Sequence, residues 1–567
     1  MAAAFLLPVA FSPENYHRFW APKAAVCLLL IVPGAAALAR LVRAGSRAAL
    51  AASLFVVGAG TSTLLSDNPV LSLTGSANWG TGFLFVGSVA GAWALGSVIG
   101  EERRRQVVSA IVAAALVNAV IAWLQVRGLV PPPLESPGRA AGLMGNPVHL
   151  GALAAGGLWL VGDRVGRDRQ SLLWLGPVVL LAGGAEISGG RSGAGLAFVA
   201  VVAAVWRAGL GSWPGRARAL AVVAAAAVGF ALAPAGAEGV TLGSASAVGA
   251  ESSTAEVGLR FDLWRVGLDA AIDRPAFGWG PGRFQAATSP RSTPAIAGGG
   301  AVAWKDAHNW VVEYAVTTGA VGLMLLSAWL ALAARNSRGP LAGFAGIVGL
   351  LMLVEPQTVG LAPLALLALG ASGQDRPVSG LGAMGAAWRA VVVVGAVASV
   401  VAAVVLVVGQ VFLYHAFLDT SVSSFDKARS LLPPWPEVSF VGSRTEAFYG
   451  LQSEPHARRS LELAREATRR DPADPSMWSY LGHIELKWGT EVAAAAAFDR
   501  SLEENPWLAG GLQGRAIVAQ ALNDDESLTE SCRRLQVLKR KPIPACGAGA
   551  QRRAMDGGSQ PATRWRR

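Results

Sequence analysis

Roughly thirteen stretches of this chain are apolar, most for about 17–25 residues, and one such stretch can cross a bilayer core as a helix. They lie near residues 1–12, 23–41, 47–65, 79–100, 106–128, 146–162, 170–187, 192–210, 218–236, 310–334, 341–355, 357–371 and 387–414. The first run is short, lacks a basic flank and is followed at once by further spans, so it does not read as a cleaved signal peptide. The stretch 341–371 reads either as one long segment or as a tight pair around Glu355-Pro356-Gln357. Only 15% of the 567 residues are charged and 53% are hydrophobic, too little charge to cover a soluble protein of this length. A disordered chain and a disulfide-dense secreted module are excluded on the same ground. The fold class is therefore all-α: a polytopic helical membrane protein of about 12–13 spans.

Basic residues in short loops set the orientation. One alternating set of loops carries sixteen of them, in groups such as Arg40, Arg43 and Arg47, Arg103, Arg104 and Arg105, and Arg207, Arg216 and Arg218. The opposite set carries five: Arg18, Lys23, Arg127, Arg139 and Arg191. The first set faces the cytoplasm, and the N-terminus with it. The long polar stretch 237–309 and everything after about residue 415 then lie outside. The net charge of +11 sits mostly at these membrane edges, so membrane lipids and not nucleic acid are the partners it implies.

Beyond the last span the composition becomes that of a soluble helical domain. Trp478-Ser479-Tyr480-Leu481-Gly482, then Gly489, an Ala run, Phe498, Leu502 and Pro506 resemble a tetratricopeptide repeat. The pairs Asp471-Pro472 and Asn505-Pro506 recur at that repeat's period of about 34 residues. Repeats of this kind bind partners or stabilise a fold; they do not perform chemistry. Cys532 and Cys546 face an oxidising compartment, and their spacing alone leaves open whether they pair.

The chemistry is expected on the outer face, where polar groups gather at the membrane edge. Arg191 stands in Ser188-Gly189-Gly190-Arg191-Ser192-Gly193 at the outer ends of two spans, and Arg139 in Gly138-Arg139-Ala140-Ala141-Gly142 on the same face. The long outer loop carries Arg260 and Arg265 in an amphipathic helix with Trp264 and Leu268 on one side. Next comes the tight turn Gly278-Trp279-Gly280-Pro281-Gly282, read as bringing backbone amides towards an anion. The loop closes with Lys305-Asp306-Ala307-His308-Asn309-Trp310 and runs into a span bearing Glu313 and Gly319.

These motifs resemble the O-antigen ligase/O-antigen polymerase superfamily: Arg191 at a span end, the Arg260 to Trp264 segment, the Gly278 turn, and His308-Asn309 followed by nine residues and Gly319. The resemblance covers about residues 1–415. It implies an inverting, metal-independent glycosyltransferase of the GT-C type, with no cofactor. A glycan would pass from a polyprenyl-diphosphate carrier to a glycan, lipid or protein acceptor on the outer face. By resemblance, Arg191 and Arg260 bind the diphosphate, with Arg265 and Arg139 as further contacts. His308 would take the acceptor's proton or hold the leaving phosphate, and Asp306, Asn309 and Glu313 would orient it or the acceptor. The absence of an Asp-X-Asp pair in a suitable loop agrees with a metal-free reaction.

The chain is thus expected to divide into a transmembrane bundle at 1–236, a catalytic loop at 237–309 and a second bundle at 310–415. A helical-repeat domain follows at 420–545, able to receive a protein partner, and a disordered basic tail at 546–567. Two other functions compete: a transporter or flippase of the same lipid-linked glycan, and a scaffold recruiting an assembly complex through its repeats. A flippase would show paired inverted halves, and thirteen spans are excessive for an anchor.

Overall fold

The computed structural model describes residues 1–77, 80–135, 139–167, 171–207, 213–233, 247–298, 304–373, 386–538 and 543–547. All but the first two residues of the basic tail lie outside this set, as do residues 374–385 with Arg376. The described residues are mostly helical, with no strand among them. Every apolar run named above coincides with a helix or helix pair. Among the described residues, five helices are long and apolar enough to cross a membrane: Ala21–Arg43, Arg47–Leu64, Glu101–Gln125, Gly215–Leu232 and Trp388–Leu418. Shorter apolar helices accompany them, among them Phe83–Ser97, Leu175–Ile187 and Gly319–Arg335. The helix Trp388–Leu418 leaves Val393, Val394, Val397 and Val401 more than half exposed. In water that surface would be untenable; against lipid it costs nothing.

The chain forms two compact units. The first comprises residues 1–254, 275–282 and 308–411. Lipid tails are as apolar as side chains, so close packing and internal hydrogen bonds must hold its helices together. The glycines are spent on that closeness. A Cβ on Gly34 would stand 2.2 Å from the Cα of Gly91, and one on Gly151 2.9 Å from the Cα of Gly193. Helices Ala21–Arg43 and Phe83–Ser97, and likewise Pro147–Arg167 and Arg191–Arg207, thus touch backbone to backbone. The unit also holds a buried aromatic group: Trp329 against Trp93 at 5.6 Å and Phe55 at 5.9 Å, with Phe55 meeting Tyr314 at 5.5 Å.

The ambiguous stretch 341–371 resolves into a pair. Helices Pro340–Leu351 and Ala362–Ala371 lie side by side, and Ser337 pairs with Gly373 in an antiparallel bridge. Chain entry and exit are therefore at the same end. Helices of about 18 and 15 Å are each shorter than a bilayer core of about 30 Å, dimensions that suit a re-entrant hairpin. Its irregular tip, Met352 to Leu361, is buried among other helices, the condition under which unwound backbone survives at membrane depth.

The second unit comprises residues 255–274, 283–307 and 412–567. Its body is a stack of helical hairpins: Pro436–Gly450 with Glu454–Arg470, Pro475–Trp488 with Glu491–Glu504, and Ala509–Leu522 with Asp525–Val537. Small residues bring paired helices close; Gly482 and Gly514 both face the ring of buried Phe498. Side-chain caps start three of the six helices, from Asp474, Thr490 and Asp524. Cys532 and Cys546 form a disulfide with Cα atoms 5.7 Å apart, packed on Leu512, Ala516 and Leu535.

That disulfide closes a loop of 14 residues in sequence. Replacing both cysteines by serine is expected to destabilise the helical domain by about 3 kcal/mol. Thermal unfolding of the whole chain in nanodiscs checks this: reductant should lower the transition of the native chain and leave the double variant unmoved.

Candidate functional site

The His308-Asn309 motif is a helix start. Asn309 is extended, and its Oδ1 accepts hydrogen bonds from the amides of Val311 (2.9 Å) and Val312 (3.2 Å), capping helix Trp310–Thr317. His308, just before the cap, has φ = +52°, a left-handed conformation rare for a residue with a Cβ. Backbone held in this region costs about 1–3 kcal/mol and persists only where the surroundings fix it. Glu313 lies buried in the first turn, where the positive helix end favours a carboxylate.

The nine residues between Asn309 and Gly319 are two helical turns and a C-cap. At Gly319, with φ = +65°, the helix breaks and Gly319–Arg335 begins. The turn from Pro275 docks on this break through four backbone hydrogen bonds. Trp279 and Gly280 amides donate to the carbonyls of Val316 (3.0 Å) and Thr317 (2.8 Å). In return, the amides of Ala320 and Val321 donate to Pro275 (2.8 Å) and Ala276 (3.2 Å). Ser62 and Ser66 hydroxyls add bonds to the carbonyls of Thr317 and Trp279, each 2.8 Å. A Cβ on Gly319 would fall 2.5 Å from the Ala276 carbonyl, and one on Gly278 2.5 Å from that of Val316. This corrects the expectation that the glycine turn offers amides to an anion: those of Trp279 and Gly280 are already committed.

The re-entrant tip meets the same short helix. Met352 accepts from the Trp310 amide at 3.0 Å, and Gln357 Oε1 from the Tyr314 hydroxyl at 3.2 Å. A further histidine, not singled out by its sequence context, joins them. His149 is buried in the first turn of Pro147–Arg167, its ring bonded to the Pro356 backbone and within electrostatic reach of His308 and Lys23. Its Nε2 is buried without a hydrogen-bond partner. The signal was Asn146-Pro147, a helix start that places His149 in the first turn; Asn146 Oδ1 does accept from the Val148 amide at 2.8 Å. Lys23 is also buried, its ammonium donating to the carbonyls of Ala10, Phe19 and Leu143 at 2.7–3.0 Å.

Arg139 is brought to the loop that carries Arg191. Its Nε donates to the Ser188 carbonyl at 3.0 Å, and its side chain lies over Gly189 and Gly190. Side-chain amides hold the Arg139 loop: Gln125 Oε1 accepts from the amides of Ala141 and Gly142, and Oδ1 of the buried Asn118 from that of Leu143. Arg191 opens helix Arg191–Arg207, and its side chain lies outside the described residues.

Arg260, Arg265 and Asp306 belong to the second unit, and Arg139, Arg191, His308, Asn309 and Glu313 to the first. Arg260 is half-buried and Arg265 exposed on helix Ala247–Asp273. Trp264 turns inward there, Nε1 donating to the Ala307 carbonyl at 2.9 Å. Phe261, Leu268 and Ile272 are exposed on this helix, and the partly buried Trp264, one turn before Leu268, packs on Phe261 with ring centroids 5.2 Å apart. Asp306 is buried.

Residues 176–327 match the family described as O-antigen ligase. That match supports a likeness to the O-antigen ligase/polymerase superfamily over this stretch of the chain. No curated protein matches the chain. The matched stretch takes in Arg191, Arg260, Arg265, Asp306, His308, Asn309, Glu313 and Gly319, and leaves Arg139 and His149 N-terminal to it.

Two substitutions test this geometry. Asn309→Ala should destabilise helix Trp310–Thr317 by about 1 kcal/mol, whereas Asn309→Ser, which also caps, should cost less. Gly319→Ala should cost about 1–3 kcal/mol. It should also speed hydrogen exchange at the amides of Trp279, Gly280, Ala320 and Val321, as the turn is forced off the break.

Proposed function

We propose that the protein is a membrane glycosyltransferase that moves a glycan from a polyprenyl-diphosphate carrier to an acceptor on the extracytoplasmic face. The observation that carries this is the ligase-family match, whose span includes Arg191, Arg260 and His308 together. In the reaction the acceptor hydroxyl oxygen attacks the anomeric carbon. The carbon–oxygen bond to the diphosphate breaks, and the polyprenyl diphosphate leaves with the bonding electrons. Its charge calls for fixed cations, and guanidinium forks match phosphate oxygens. Arg191 and Arg260 take that role, with Arg139 supporting the Arg191 loop and Arg265 a further contact. The acceptor's proton must go to a base, and an imidazole near neutral pKa suits the task; the alternative role for His308 is to hold the leaving phosphate. Asp306, Asn309 and Glu313 orient the histidine segment. The reaction as proposed is inverting and needs no metal. The Cys532–Cys546 disulfide supports an oxidising, extracytoplasmic side for the helical domain.

The test is transfer from a radiolabelled polyprenyl-diphosphate glycan to crude acceptor by the protein in nanodiscs, with EDTA present. His308→Ala and Arg260→Ala should each lower release of polyprenyl diphosphate by about a hundredfold or more. A single product band indicates a ligase and a ladder a polymerase. Donor that stays intact yet crosses the bilayer of proteoliposomes would instead identify a flippase and remove His308 from catalysis.

A further inference from the structure

Tandem helical hairpins usually present a surface to a second molecule, but here the chain supplies an occupant of its own. The segment from Arg283 to Ala307 lies in the same compact unit as the hairpins. Arg283 is 4% exposed and forks onto Asp471, Nη1 to Oδ2 and Nη2 to Oδ1, both at 3.1 Å. Asp471 follows directly on helix Glu454–Arg470, in the turn between two hairpins. Near the other end of the segment, Lys305 meets Glu437 at 3.5 Å. Burial works against the Lys305 charge, but Glu437, Asp474 and Asp471 outweigh it and raise its pKa. Between these anchors Ala297 packs on the core that surrounds the disulfide. Two cations of the arm thus face three acids of the hairpin stack, and an apolar contact lies between.

We propose that the C-terminal helical domain is an intramolecular clamp for this arm, with Arg283 and Lys305 as positioning residues. The arm ends at Ala307, so holding it fixes the approach of the chain to His308. This rests on the transferase reading for its catalytic consequence, not for the clamp itself. A buried ion pair is a poor source of net stability, because desolvation offsets most of the attraction. A two-bond fork does define one orientation of the arm, which a hydrophobic contact would not.

The test is hydrogen exchange and transfer kinetics on the full chain in nanodiscs, with Asp471→Asn and the milder Arg283→Lys, which keeps the charge but loses the fork. Exchange across 283–298 should rise in the order wild type, Arg283→Lys, Asp471→Asn, with the hairpin helices protected as before. The turnover number should fall in that order, by roughly ten- to hundredfold for Asp471→Asn, at unchanged KM for the donor. Unchanged exchange across 283–298 in Asp471→Asn would overturn the clamp, and faster exchange with unaltered transfer would overturn the positioning role. Should the wild-type chain show no transfer, the transferase reading fails. The clamp is then decided by exchange alone, a rise supporting it and no change refuting it.

Discussion

The first unit is organised by the reciprocal lock between a glycine turn and a broken helix. Four backbone hydrogen bonds join Pro275–Gly280 to the residues on either side of Gly319. Helix ends normally leave carbonyls and amides unpaired, and in an apolar surrounding each is costly. Here the C-terminal carbonyls of Trp310–Thr317 and the N-terminal amides of Gly319–Arg335 satisfy the turn, and the turn satisfies them. The exchange is possible because neither Gly278 nor Gly319 carries a Cβ. It fixes the short helix from its far end while Asn309 fixes it from the near end. His308 is then held in a conformation it would not choose alone.

The same economy runs through the rest of that unit. Irregular segments, the Arg139 loop and the re-entrant tip, are bonded by side chains from neighbouring helices. Asn118 and Gln125 face the loop, Lys23 gathers three carbonyls, and Tyr314 reaches Gln357. Polar side chains inside an apolar bundle are expensive unless satisfied, so those that remain mark where the backbone leaves the helix. His149 is one of several exceptions, with one ring nitrogen bonded to the backbone and the other buried without a partner, as are Asn15 and the Nε2 of Gln357 and Gln410.

The outer loop is shared out between the two units. Its central turn, 275–282, belongs with the membrane helices, and its arms with the hairpin stack. A loop of this length left to itself would sample many conformations, at an entropic cost to any ordered site. The hairpin stack answers that cost with a buried fork, a second ion pair and an apolar contact.

Much of this was legible in the sequence because it follows from local rules. Apolar run length gave the helices, the Asp471 and Asn505 turns gave the hairpin period, and His308-Asn309 with Gly319 gave the likeness that the family match over residues 176–327 supports. What the sequence could not supply were relations between residues far apart in the chain. Whether 341–371 crosses or turns back depends on Ser337 meeting Gly373. Whether the Gly278 turn offers its amides depends on the carbonyls of Val316 and Thr317 arriving there first. His149 gained meaning only beside Pro356 and His308, and Arg283 only against Asp471. Periodicity and composition report what a segment needs, a membrane, a cap or a partner. Which distant segment meets the need is settled by packing, and only the tertiary structure decides it.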